Sequence, residues 1–229
     1  MAAGVVPSSS LLTNPSLLIR DLPRRDDEAR ARLHAVAARA HPFVAAGDRR
    51  LSVGGLLGEL LPAGGVQRGS TIAVEGLPGS GSTTVALALA AAATAAGEWA
   101  AVVDPSFGGT LGARAAAEAG VALERLAVVR RAPHAQWGAV VAALLDGITV
   151  VVAAVPPHVR LGDARRLVAR ARERGAVLVA FGAWPVEAAV RVHVGASVWR
   201  VLGAGNGLLE ERDLNVHVEA KGRGYARAG

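Results

Sequence analysis

Glu75-Gly76-Leu77-Pro78-Gly79-Ser80-Gly81-Ser82-Thr83-Thr84 stands between a short β-rich run, residues 71–75, and an Ala-rich stretch, 83–96. A glycine-rich turn leading from a strand into a helix is the setting of a phosphate-binding loop, G-x-x-x-x-G-K-[ST]. Its glycines let backbone N–H groups wrap a phosphate, and the helix N-terminus adds its dipole. Gly76 and Gly81 keep that spacing, and Thr83 keeps the metal-binding hydroxyl. The lysine position is Ser82. Its loss removes a charge-assisted contact of about 1.5–3 kcal/mol, or roughly 10- to 150-fold in affinity. Transfer chemistry suffers more, because that charge acts where the transition state accumulates negative charge. The expected loop, carried by Gly76, Gly79, Gly81, Ser82, Thr83 and Thr84, holds an anion or nucleotide weakly and does not run fast hydrolysis.

Outward from the loop, strands and helices alternate. Further β-rich runs fall at 99–104, 126–130, 148–155, 176–181, 192–202 and 214–220, and helical stretches at 83–96, 109–119, 135–146 and 163–174. Gly97, Gly120, Gly147 and Gly175 follow those helices, where a left-handed terminal residue is wanted. Five nearly continuous apolar strands joined by helical crossovers predict an α/β domain, its mainly parallel sheet covered on both faces. The last two runs, separated by the turn region 203–207, predict a closing hairpin.

At 229 residues with 52% hydrophobic and 19% charged residues, the chain can bury a core and is not disordered. Aromatics are only 3%, so Val, Leu and Ala must fill that core. The absence of cysteine excludes disulfide scaffolds, cysteine zinc sites, iron–sulfur clusters and thiol catalysis. The six histidines, His34, His41, His134, His158, His193 and His217, show no ligand pairing, so no metal site is expected. Ser80, Ser82 and Ser106 have no neighbouring base cue, and no nucleophile is assigned. The net charge is +6, and Lys221 is the only lysine. This permits nucleic-acid contact but equally describes a solvated surface. Residues 1–19 lack the basic start of a signal peptide. The longest apolar run, 85–103, is mostly Ala and is broken at Gly97 and Glu98, which predicts a buried helix and then a strand, not a membrane span. A soluble, cytoplasmic protein is expected.

Four segments follow: a flexible tail at 1–22, an N-terminal helical arm at 23–50, a core domain at 51–223 and a flexible tail at 224–229. The arm helix, 26–40, opens on Asp26, Asp27 and Glu28, which favour a helix N-terminus. Leu33, Val36, Ala37 and Ala40 form its one apolar stripe, a candidate partner surface.

From about 51 to 223 the chain resembles the RecA recombinase family. The resemblance rests on the lead-in at 56–61, the turn Pro62-Ala63-Gly64-Gly65-Val66-Gln67-Arg68-Gly69 and the phosphate loop. It continues through Val102-Val103-Asp104 and Ala119-Gly120-Val121-Ala122-Leu123-Glu124-Arg125-Leu126, and ends in paired strands around Ala196-Ser197-Val198 and 216–221. It implies a RecA-like fold of the P-loop NTPase type. It also implies a magnesium-binding acid at the end of the strand after helix 135–146, where this chain has Ala153, and a catalytic glutamate two residues past Asp104, where it has Ser106. Lysine and both acids are therefore all replaced, which implies a pseudo-ATPase without cofactor. Asp146 precedes that strand and does not rescue it.

The family's DNA loops match 155–162 and 182–191, both too short to thread a strand into a filament. Arg160 and Arg191 in those loops, Arg165, Arg166 and Arg170 on the following helix, and Lys221 and Arg223 near the C-terminus are the candidates for DNA or an acidic partner. Trp99, Trp137 and Trp199 read as packing residues; Trp184, before Pro185, stays open as a stacking platform. Short RecA relatives with eroded nucleotide motifs are similar to the ImuA-type accessory proteins of inducible mutagenesis, particularly the actinobacterial branch. That similarity implies a catalytically inactive Y-family polymerase homologue (ImuB type) as partner and, through it, an error-prone C-family polymerase in translesion synthesis. Two alternatives stay open: a RecA paralogue with residual nucleotide-dependent DNA binding, and a SulA-like division inhibitor. A homo-oligomer stays open as well.

Overall fold

The computed structural model describes residues 50–104, 111–201, 209–221 and 223–228. The tail and arm at 1–49, Ser106 and the turn at 203–207 lie outside the described residues. The described residues start with a small antiparallel pair, β1 (Arg50–Ser52) with β2 (Gly65–Gln67), around helix α1 (Gly55–Leu60). β3 (Thr71–Gly76) leads into α2 (Ser82–Ala95), β4 (Ala100–Asp104) into α3 (Ala113–Glu118), and β5 (Leu126–Arg130) into α4 (Trp137–Leu145). Then come β6 (Val150–Ala154), α5 (Leu161–Arg174), β7 (Val177–Phe181) and the strands β8 (Val190–Val201), β9 (Leu209–Ala220) and β10 (Arg223–Ala228).

The main sheet has the order β10-β9-β8-β3-β7-β6-β4-β5. From β8 to β5 every neighbouring pair is parallel, and β9 and β10 add antiparallel strands at one end. Alternation along the strands splits the core in two. Ile72, Val74, Val102, Val150, Val152, Val177 and Val179 meet α2 on one face. Ala73, Ala101, Val103, Val151, Ala153, Leu178 and Ala180 meet α4 and α5 on the other. A strand buried on both sides has no polar position to spare, which is why these runs read as continuous apolar sequence. The run at 85–103 divides as expected, into α2 and then β4. No helix among the described residues is long and apolar enough to cross a membrane.

Gly97, Gly120 and Gly175 take the expected left-handed conformation, with φ of 78°, 85° and 69°; Gly147 does not. The C-terminal segment, expected as a tail, pairs with the sheet. Its backbone through Ala228 forms β10, pairing Ala226 with Val218 and Arg227 with His217. The sequence there is Gly-rich and basic, and pairing to β9 supplies what local propensity does not. Trp184 is also corrected: it is 4% exposed, inside the second core, so it offers no stacking face.

Two carboxylates fasten loops to this frame. Arg68 grips Glu98 at 2.9 and 2.5 Å, and Arg170 grips Asp146 at 2.8 and 2.5 Å, with Arg174 at 3.1 Å. Burial alone would raise both acids. Hydrogen bonds from Arg68 and Thr149 to Glu98, and from Arg170 and Arg174 to Asp146, with the arginine charges, outweigh burial and hold both below the ordinary carboxylate range. A depressed folded value means that the unfolded chain takes up protons first. The stability from these pairs is thus complete above the ordinary carboxylate range and is lost as pH falls through the depressed values. The double variant Glu98→Gln, Asp146→Asn should be less stable than the parent at pH 7 and lose less of its remaining stability between pH 5 and pH 3, as read by urea denaturation. Parallel losses in both proteins would refute the assignment.

Candidate functional site

The six loop residues lie between β3 and α2, at the carboxyl end of a central strand, where open α/β sheets bind their ligands. Ser80 N–H donates to Leu77 O at 2.9 Å, and Ser82 N–H donates to Ser80 Oγ at 3.3 Å. Gly81 caps α2 at φ 97°, with its carbonyl accepting from Thr84 at 2.9 Å and Val85 at 3.3 Å. Gly79 is also left-handed, at φ 80°. Ser82, in the lysine position, is 6% exposed and tucked beneath Gly76: a Cβ placed on Gly76 would stand 3.1 Å from Ser82 Cβ. Thr83 is half-buried and Thr84 exposed. The loop is therefore a tight turn with left-handed Gly79 and Gly81 leading into α2, and Ser82 is a short, buried hydroxyl at its end.

Ala153 is fully buried in β6, in register with Val103 and Ala180. The whole of β6, Val150–Ala154, is apolar and buried, so its carboxyl end offers no side-chain ligand for a metal. Among the described residues no group of three or more His, Asp or Glu could hold a metal ion.

Sequence reasoning missed what holds the loop. Arg212 of β9 donates to Gly79 O through Nη2, and to Ser197 Oγ at 2.9 Å from Nε and 2.6 Å from Nη2. Ser197 Oγ–H in turn donates to Gly79 O at 3.3 Å. Leu214 packs on Gly81, where an added Cβ would come 2.4 Å from Leu214 Cδ2. The β8–β9 hairpin thus grips the loop from residues more than a hundred positions away, a separation no local pattern reports.

Along the same hairpin runs a polar row. Arg191 binds Glu75 at 2.6 Å and the carbonyls of Val186 at 2.8 Å and Trp184 at 3.3 Å. His193 Nδ1 lies 3.5 Å from Glu75 and stacks on His217 with ring centroids 6.4 Å apart, and Glu219 lies 3.6 Å from His217 Nε2. Arg191, a candidate phosphate contact, is part-buried, and its guanidinium donates to these three acceptors of its own chain, Glu75, Val186 and Trp184. Arg170 is likewise held by Asp146, Arg166 pairs with Asp163, and Lys221 pairs with Glu187 at 2.9 Å on an open surface. Arg160 and Arg165 are exposed, at the start of α5 and in its first turns. Arg223 opens β10. Four of the seven candidate basic residues, Arg160, Arg165, Arg166 and Arg170, lie on α5 or at its N-cap, and Arg191, Lys221 and Arg223 lie on or next to the adjoining strands β8, β9 and β10.

A family model described as the MT3502 N-terminal domain matches residues 59–186, more than half of the chain. The chain belongs to this family. The matched stretch of the MT3502 N-terminal domain runs from the end of α1 through β7 and contains the whole glycine-rich loop; the gripping hairpin β8–β9 lies beyond it. No curated protein matches the chain.

Proposed function

We propose that this protein is a RecA-like, catalytically silent adaptor of an error-prone translesion DNA synthesis complex, acting in the cytoplasm in the DNA damage response. The observation that carries the reading is the glycine-rich turn into α2 with Ser82 buried at the lysine position and Ala153 buried at the acid position. Support for the RecA-like form comes from the loop strand at the centre of a parallel sheet, the helix–strand succession on either side of it, and the antiparallel strands that close the chain. With the chemistry gone, a retained surface explains a retained fold. The ImuA-type resemblance names the partner, an inactive Y-family polymerase-like protein of ImuB type and through it a C-family polymerase. DNA contact, in this reading, is loose and salt-dependent, carried by separate arginines such as Arg160 and Arg165.

Affinity capture of the full chain from DNA-damaged cells tests the assignment. Recovery of the polymerase-like partner supports it. Capture of a division protein instead would favour the SulA-like alternative, and DNA-dependent capture of a recombinase filament the RecA-paralogue alternative. The arm is the proposed contact. A buried Leu or Val contributes about 1.5–3 kcal/mol, so the stripe Leu33, Val36, Ala37, Ala40 suffices for docking. Deleting residues 1–45 should leave a folded core and weaken partner binding about tenfold or more, the equivalent of ~1.4 kcal/mol. Undiminished binding would move the contact to α5 or the C-terminal strands, and an unfolded core would make the arm part of the domain.

A further inference from the structure

The main sheet ends in β10 on one side and β5 on the other. β10 has two arginines, Arg223 and Arg227, among its six residues, and its register against β9 breaks between Arg223 and Ala226. Charges and irregularities of that kind keep a sheet edge from pairing with another chain. β5 is built differently. Leu126-Ala127-Val128-Val129-Arg130 runs in unbroken register along β4, from Ala100 to Asp104, and its single charge stands at the last position. Among the described residues no strand pairs with its outer side. Where β6 is buried throughout, every residue of β5 is half-buried or exposed. Val128 is 37% exposed, and Leu123, in the 3-10 turn that leads into the strand, is 41% exposed.

We infer that β5 is the contact through which two copies of this chain form a dimer, the two strands pairing antiparallel about a twofold axis at Val128. The strand suits its own reverse. With Val128 facing its counterpart, Ala127 faces Val129 and Leu126 faces Arg130, whose methylene stem can cover the leucine. No two like charges stand opposite each other in that register, and the axis at Val128 pairs all five residues. The 3-10 turn Leu123–Arg125 bounds the strand on one side, and left-handed Arg131, φ 55°, bounds it on the other. Five pairs make a short seam, so the dimer is weak and grows with concentration. This self-complementarity is what selects a second copy over a strand of another protein. A twofold contact uses the same patch on both copies and closes on itself, so it does not propagate into a filament. The inference is independent of the translesion reading: β5 lies across the sheet from the β8–β9 hairpin and its loop.

The chain has no cysteine, so Val128→Cys introduces its only thiol. Residues directly opposite in an antiparallel pair have Cα atoms about 4.5–5.5 Å apart, within the reach of a disulfide. Mild oxidation of this full-length variant should therefore give a crosslinked dimer on a non-reducing gel. Leu161→Cys, at the start of α5 and 52% exposed, should crosslink about tenfold more slowly or less at the same concentration. Sedimentation of the unaltered full-length chain should show a monomer–dimer equilibrium. Val128→Lys sets two ammonium groups against each other at the axis and should weaken that dimer about tenfold or more. A chain that stays monomeric, equal crosslinking at 128 and 161, or a dimer indifferent to Val128→Lys overturns the proposal. If Val128→Lys does not fold, the crosslinking comparison and the sedimentation of the unaltered chain decide.

Discussion

Alanine in place of Trp137 is expected to cost the domain about 3–5 kcal/mol and to lower its melting temperature by roughly 10 °C. Trp137 is the largest fully buried side chain, 2% exposed at the start of α4, and it stands in the core beneath Ala153 and Val151 of β6 and Val103 of β4. The residues around it are mostly Ala and Val, whose short side chains cannot move far enough to fill the space. The cavity term therefore adds almost in full to the lost transfer energy. Thermal and urea denaturation of Trp137→Ala measure the loss. A cost under about 1 kcal/mol would mean that the helix collapses onto the sheet, which close packing of a rigid interior opposes.

Gly76→Ala is expected to destabilise by about 1–3 kcal/mol, as overpacking does, and to loosen the loop from the hairpin. Gly76 pairs with Val194 across β3 and β8. A Cβ there would lie 2.5 Å from Ser80 Oγ, 2.9 Å from Val194 O and 3.1 Å from Ser82 Cβ. Two of those neighbours hold the loop's own turn and one is backbone, so relief requires the loop and strand to part. Gly138→Ala on α4 is the control. Nothing lies within 4 Å of its added Cβ, and an alanine in the first turn of that helix should stabilise by up to about 0.4–1 kcal/mol. Faster amide exchange along β8 in Gly76→Ala but not in Gly138→Ala would show that the loop fastens the hairpin. Equal exchange in both would separate the two.

The parallel sheet was legible because its strands are buried on both faces and leave continuous apolar runs such as Val150–Ala154. The helices were legible because the glycines at 97, 120 and 175 end them. The glycine-rich turn between β3 and α2 was legible because its spacing is local. What sequence could not supply was non-local. The short pair of β1 and β2 gives only three residues to each strand, too few for alternation to register. β10, Arg-Gly-Tyr-Ala-Arg-Ala, has no run of strand-forming residues and forms by pairing with β9. The loads on Arg191 and Arg212 are decided by Glu75, Ser197 and Gly79, each brought up by sheet register. An arginine in a sequence gives no sign of whether it will meet solvent, a phosphate or a carbonyl of its own chain.

Steady-state ATP hydrolysis by the purified full-length chain with Mg²⁺, with and without single-stranded DNA, tests catalytic silence most directly. Because a buried Ser82 replaces the cation and a wholly apolar β6 offers no acid, turnover should match buffer alone and should not change in Thr83→Ala. A steady rate above background that Thr83→Ala abolishes would contradict the proposal, since it would show a working phosphate loop assembled without the lysine and the acid.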